Sequence, residues 1–181
     1  MKVIFTALTT LFICGITYAQ KPGDPLPGFG VTVDGDTIRG GVVALRKDGN
    51  FRPSFQVKFE DETSKSLSPK KTKYVLAGDM EFDTFVIPGN PDGDMAFFYR
   101  KSSGKVILYE YQFQVYEMNK TVWKSEFYLK SPDKDELERI HKANYKKKLS
   151  ALFSDNPELQ KQVGQVKFEE IHTLFDMYNE A

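Results

Sequence analysis

Lys105 to Met118 reads K-V-I-L-Y-E-Y-Q-F-Q-V-Y-E-M. From Ile107 to Val115 every odd position is apolar, and Glu110, Gln112 and Gln114 stand between them. A period of two is the mark of a strand, whose successive side chains point to opposite faces. Tyr, Phe, Val and Ile suit a pleated, half-buried surface, so propensity agrees with periodicity. Val106 and Leu108 make the start of the stretch apolar on both faces, which predicts that this end runs beneath other elements. The odd face, with Tyr109, Tyr111 and Phe113, is expected to be core. The even face around Glu110, Gln112 and Gln114 is the place expected for a binding surface.

The flanking sequence supplies partners. Met95 to Tyr99 reaches this stretch through the polar turn Lys101 to Gly104, and Val122 to Lys130 returns after Asn119-Lys120. Three successive strands form a meander with Lys105 to Met118 at its centre, both edges paired. Upstream, Phe29, Val31 and Val33 alternate up to Asp34-Gly35, and Thr37 to Leu45 alternates after it. Asp-Gly between such runs predicts a hairpin with a type I′ turn. Gly40-Gly41, where the apolar phase changes, predicts a bulge or sharp bend. Phe55, Val57 and Phe59 mark a further strand, Glu81 to Ile87 another, and Arg46 to Ser54 and Pro88 to Asp94 are loops by composition. Ser68-Pro69 has the form of a short helical turn leading to Tyr74-Val75-Leu76.

From Ser131 the pattern changes period. Ser131-Pro132-Asp133 resembles a capped helix start, with Leu137, Ile140, Leu149 and Leu152 following at helical spacing. Asn156-Pro157 begins a second helix ending near Gly164. A third runs from about Phe168 to Tyr178, with Ile171, Leu174, Phe175 and Tyr178 on one face. The fold class is therefore α+β: an antiparallel sheet or small β-roll or barrel of about 7 to 8 strands (29–130), then C-terminal helices (132–179) packed against it. Residues 29–181 form one domain, and no linker separates strands from helices.

The N-terminus reads as an export signal. Lys2 precedes an apolar run from Val3 to Ile16, and Thr17-Tyr18-Ala19 offers small residues at the positions a signal peptidase reads. The run is shorter than the roughly 20 apolar residues of a membrane helix, so no transmembrane span is expected after cleavage at Ala19. Cleavage removes Cys14, the one cysteine in the chain, and with it disulfides, thiolate metal sites and cysteine nucleophiles. Gln20 to Gly28, with Pro22, Pro25 and Pro27, reads as an extended leader. Of 25 basic and 25 acidic residues only Lys2 lies in the signal, so the mature chain carries a formal charge of −1, and no field favours nucleic acid.

Candidate chemistry is sparse. His141 and His172 each have carboxylates a turn away (Glu138; Glu169 and Asp176), but no metal-binding spacing connects them. Asp79, Glu81 and Asp83 fall on one face of a strand, where paired carboxylates serve glycoside cleavage or bind Ca²⁺. Asn90, Asp92 and Asp94 place oxygen ligands at every second position, so Asp92 and Asp94 are candidate metal ligands, although turns use these same residues. Lys70, Lys71 and Lys73, and Lys146 to Lys148, read as solvated faces rather than phosphate sites. No nucleophile elbow, P-loop or dinucleotide fingerprint is present, and no cofactor is expected.

The segments G-D-T-I-R-G (Gly35 to Gly40), S-L-S-P (Ser66 to Pro69), K-V-I-L-Y-E-Y (Lys105 to Tyr111), F-S-D-N-P-E-L (Phe153 to Leu159) and the terminal Met177-Tyr178-Asn179, after a signal ending in Ala19-Gln20, resemble a group of uncharacterised secreted proteins of Bacteroidota. The resemblance implies export and fold, and carries over no catalytic residue. The expectation for function is an exported, periplasmic or extracellular, non-catalytic interaction module whose partner is an envelope protein or glycan. The alternative is a hydrolase acting on an envelope polymer or glycan through carboxylates.

Overall fold

The structure, a computed structural model, describes residues 24–45, 54–131 and 136–180. The expected signal segment with Cys14, the first residues of the expected leader, most of the Arg46 loop and residues 132–135 of the expected helix start lie outside these residues.

Among the described residues ten strands follow one another: β1 (Leu26–Thr32), β2 (Thr37–Leu45), β3 (Ser54–Lys58), β4 (Ser64–Leu67), β5 (Thr72–Ala77), β6 (Met80–Val86), β7 (Met95–Ser102), β8 (Ile107–Glu117), β9 (Lys120–Lys130) and β10 (Glu138–Ile140). They build one open antiparallel sheet in the order β10-β9-β8-β7-β6-β5-β1-β2-β3-β4. Helices α1 (Tyr145–Leu152), α2 (Pro157–Val163) and α3 (His172–Glu180) follow, with a 3₁₀ turn at Phe168–Glu170 before the last. The α+β class stands, with ten strands where about 7 to 8 were expected. The additional strands are short edges: β4 buries only Leu67, and β10 only Ile140. Such segments carry too little alternation to be read as strands.

Several local expectations give way to particular physics. Pro27 lies inside β1, not in a leader: it stands next to the strand's first residue, where a missing donor is tolerated, and its carbonyl accepts from Gly78 N at 2.8 Å. The Asp34-Gly35 hairpin forms, but only Gly35 has positive φ there. Gly35 N donates to Thr32 O and Thr32 N to Asp36 O, a three-residue loop rather than type I′. The β2 ladder passes through Gly40 and Gly41 without a register shift. A Cβ on Gly40 would sit 2.4 Å from Lys58 O, so glycine serves close strand approach, not a bulge. Ser68-Pro69 starts a tight turn between β4 and β5, closed by Lys71 N to Ser68 O, rather than a helical turn.

The first seven strands curl until β3 meets β6 and β7. Phe55 lies 4.6 Å from Phe82 and 4.9 Å from Phe97, ring centre to ring centre, and the cluster also holds Val42, Val57, Leu67 and Val75. On the same sheet face, Val106, Leu108, Phe127 and Leu129 lie under the helices, packed with Leu149, Phe153, Leu159, Ile171, Leu174 and Phe175. The doubly apolar start of β8 is thus explained. The opposite face gathers Phe98, Tyr109, Tyr111 and Tyr128, so Tyr109 and Tyr111 are core as expected. Each such burial contributes roughly 1.5–3 kcal/mol.

The helix expected from Ser131 begins only at Tyr145, because Glu138 to Ile140 pairs with β9. Leu137 and Ile140 share a face on a helix but take opposite faces on a strand. Leu137 packs with the Phe98 and Tyr109 cluster and Ile140 with the helices. A sheet apolar on both sides uses both. The second helix matches the reading: Asn156 caps α2 through Leu159 N at 3.2 Å, with Pro157 following. The third, expected from Phe168, opens with the 3₁₀ turn and becomes α-helical only from His172.

Candidate functional site: the β8–β9 ribbon

β8 pairs with β9 along its whole length, from Ile107↔Lys130 to Glu117↔Lys120. It pairs with β7 only at Leu108, Tyr109 and Glu110, and β10 covers β9 only from Phe127 to Leu129. From Tyr111 to Glu126 the two strands are therefore laddered only to each other among the described residues. This is a two-stranded ribbon running out of the sheet, not the centre of a meander with both edges paired. Its turn is Met118-Asn119, with φ of 47° and 62°, the paired positive φ of a type I′ turn.

Cross-strand partners share a face. One ribbon face carries Tyr111, Phe113 and Val115 with Val122, Lys124 and Glu126; the other carries Gln112, Gln114 and Tyr116 with Thr121, Trp123 and Ser125. On the first, Tyr111 stacks on Phe98 at 5.0 Å and Phe113 on Tyr111 at 5.4 Å, joining ribbon to core. On the second, Tyr116 is 67% and Trp123 43% exposed, and Met118 at the tip is 98% exposed. An isolated two-stranded hairpin is marginal in water, so this stack and the Lys124–Glu117 ion pair hold it.

The sequence-predicted binding residues divide. Gln112 and Gln114 lie on the second ribbon face. Glu110 lies at its root, its side chain only 11% exposed. It accepts from Ser125 Oγ at 2.5 Å and Gln112 Nε2 at 3.1 Å, with Lys101 Nζ at 3.6 Å. It anchors the face instead of reaching out from it. Tyr116 and Trp123, not singled out from sequence, are its exposed aromatics. Their signal was present in the charge-free alternation of Gln112, Gln114, Tyr116 and of Thr121, Trp123, Ser125, which becomes one face only when the turn fixes the register.

The other candidates are engaged in structure. Arg100 binds Asp83 Oδ2 through Nε at 3.0 Å and Nη2 at 2.5 Å, and Glu81 Oε2 through Nη1 at 2.6 Å; Tyr109 OH donates to the same Asp83 oxygen at 2.6 Å. Burial, reinforced by Asp83, pushes the Tyr109 phenol far above its ordinary value, and burial with the Glu126 bond does the same for Tyr128. Asp79 lies outside the strand, in the β5–β6 turn. Asp79 and Glu81 line a cleft of about 320 Å³ with Arg100, Lys101, Asp176 and Asn179.

Asn90 Oδ1 accepts from Asp92 N at 2.8 Å, Asn90 Nδ2 donates to Asp94 at 3.4 Å, and Ile87 N donates to Asp94 O: these residues build a turn. Among the described residues no group of three or more His, Cys, Asp and Glu could hold a metal ion, so His141 and His172 form no such cluster. Lys146 and Lys148 donate to the Gly164 and Arg139 carbonyls, and Lys148 pairs with Glu138, fastening α1 to its neighbours. No described helix is long and apolar enough to cross a membrane. Comparison with family models, curated proteins and solved structures returns no match.

Proposed function

We propose that the protein is exported and acts as a non-catalytic interaction module, with the β8–β9 ribbon as its contact element. The observation that carries this reading is the ribbon's exposure of Tyr116, Trp123 and Met118 beyond the body of the sheet. Large exposed aromatics on a projecting element cost solubility and mark contact sites. Export rests on the N-terminal pattern, and kinship with secreted Bacteroidota proteins on the segments quoted above.

The hydrolytic reading through Asp79, Glu81 and Asp83 has less support. Glycoside cleavage needs two carboxyl groups facing one scissile bond, and here Glu81 and Asp83 share a single guanidinium.

The test is retention. Immobilised mature protein incubated with envelope extract is expected to retain a component that a Tyr116→Ser/Trp123→Ser double variant does not. Equal retention by both proteins, or none by either, removes the ribbon from the proposal.

A further inference from the structure

Resting on that reading of the ribbon, we infer that its ligand is an uncharged glycan chain, seated on the face that carries Gln112, Gln114, Tyr116, Thr121, Trp123 and Ser125. The first ground is the segregation of charge. In a chain whose residues are 28% charged, Glu117, Lys120, Lys124 and Glu126 all fall on the opposite ribbon face by the register. Exposed strands ordinarily use charged side chains as protection against unwanted pairing. Beyond Glu110, which is paired with Lys101 at the root and only 11% exposed, this face carries no charge; it forgoes that protection and offers no counter-charge to an acidic or basic polymer.

The second ground is chemistry. Tyr116 pairs with Thr121 and Trp123 with Gln114, so the two rings are diagonal neighbours, about 7–8 Å apart at their backbones. Their rings are flat apolar surfaces with a polar edge, suited to the C–H faces of sugar rings. Amides and hydroxyls both donate and accept, which matches the hydroxyl groups around a sugar.

The third ground is shape and preparation. The platform is a ribbon face, open at its end, which accommodates a segment within a chain. Its root is fixed before any ligand arrives, because Glu110 holds Ser125 and Gln112, and a preorganised face loses less freedom on binding.

Trp123 is the only tryptophan in the chain, so its fluorescence reports this face alone. The full mature protein is titrated with dextran, laminarin, mannan and xylan as uncharged probes, and with alginate and heparin as charged ones. At least one uncharged polysaccharide is expected to shift the emission and shield Trp123 from acrylamide, with little dependence on salt. Tyr116→Ala is expected to weaken that binding roughly three- to tenfold. Lys120→Gln, on the other face, should leave it unchanged.

No response to any uncharged probe overturns the inference, as does a response only to charged probes that salt abolishes, or binding indifferent to Tyr116→Ala. If the ribbon still retains a protein from envelope extract, the glycan is wrong and the contact element stands. Loss of all ribbon-dependent retention removes both.

Discussion

Asn179, one residue before the end of α3, closes the fold, and its replacement tests how the helices are held. Its Nδ2 donates to Ser102 Oγ at 3.0 Å and Val106 O at 3.0 Å, and its Oδ1 accepts from Val106 N at 3.2 Å. One side chain thus joins α3 to the β7–β8 turn. The fit is close: a Cβ on Gly104 would lie 2.6 Å from Asn179 Cβ, and Gly104 itself has φ of 152°. Asn179→Ala removes all three hydrogen bonds and leaves Ser102, which is 7% exposed, without that partner. At roughly 0.5–1.5 kcal/mol net for each bond, the loss is about 2–3 kcal/mol. For a domain of this size that lowers the melting temperature by about 5–10 °C. Asn179→Asp is expected to cost at least as much, since a carboxylate facing Val106 O can no longer donate. The assay is thermal and urea unfolding of the mature chain, followed by far-UV circular dichroism. A shift of less than about 1 °C for Asn179→Ala refutes the role of this contact.

Other outcomes follow from the polar network and the loops. The Tyr109 and Tyr128 phenols have folded-state pKa values raised above their ordinary 10.0, so above pH 10 the unfolded chain loses protons that the folded chain keeps. Stability is then fully present below pH 10 and falls as pH rises beyond it; a Tyr109→Phe/Tyr128→Phe variant should show a flatter decline in alkaline urea titrations, and an unchanged slope would count against this account. Arg100→Met strips Asp83 of its cation and should cost about 2 kcal/mol, with part recovered by adding Asp83→Asn; equal stability of Arg100→Met and the parent would show the clamp to be dispensable. Chelator should leave the melting temperature unchanged, because Asn90, Asp92 and Asp94 build a turn among themselves; a lowered transition would restore Asp92 and Asp94 as metal ligands.

Sequence reading reached furthest where local chemistry decides structure. The Asn156-Pro157 cap, the Asp34-Gly35 reversal and the alternation of β8 are each written in a few adjacent residues. It fell short where a distant partner decides. Leu137 and Ile140 fit a helical stripe equally well until the edge of β9 claims them for a strand. Glu81 and Asp83 looked like a paired-carboxylate site because Arg100, which they share, lies 17 to 19 residues further on, in the neighbouring strand β7. The proposed contact face was legible in half: Gln112 and Gln114 follow from the β8 alternation. Tyr116, beyond the alternating run, and Trp123, supplied by β9, join them only through the register set at Met118-Asn119.

The contact role of the ribbon is tested most directly by where the protein crosslinks. A photoreactive residue replaces Met118 at the ribbon tip, and in a separate protein Val33, also exposed, in the β1–β2 loop. After illumination in envelope extract, residue 118 is expected to give a reproducible adduct that is lost on Tyr116→Ser/Trp123→Ser, and residue 33 none of that mass. Adducts formed equally from both positions, or from residue 33 alone, would contradict a ribbon that makes the contact.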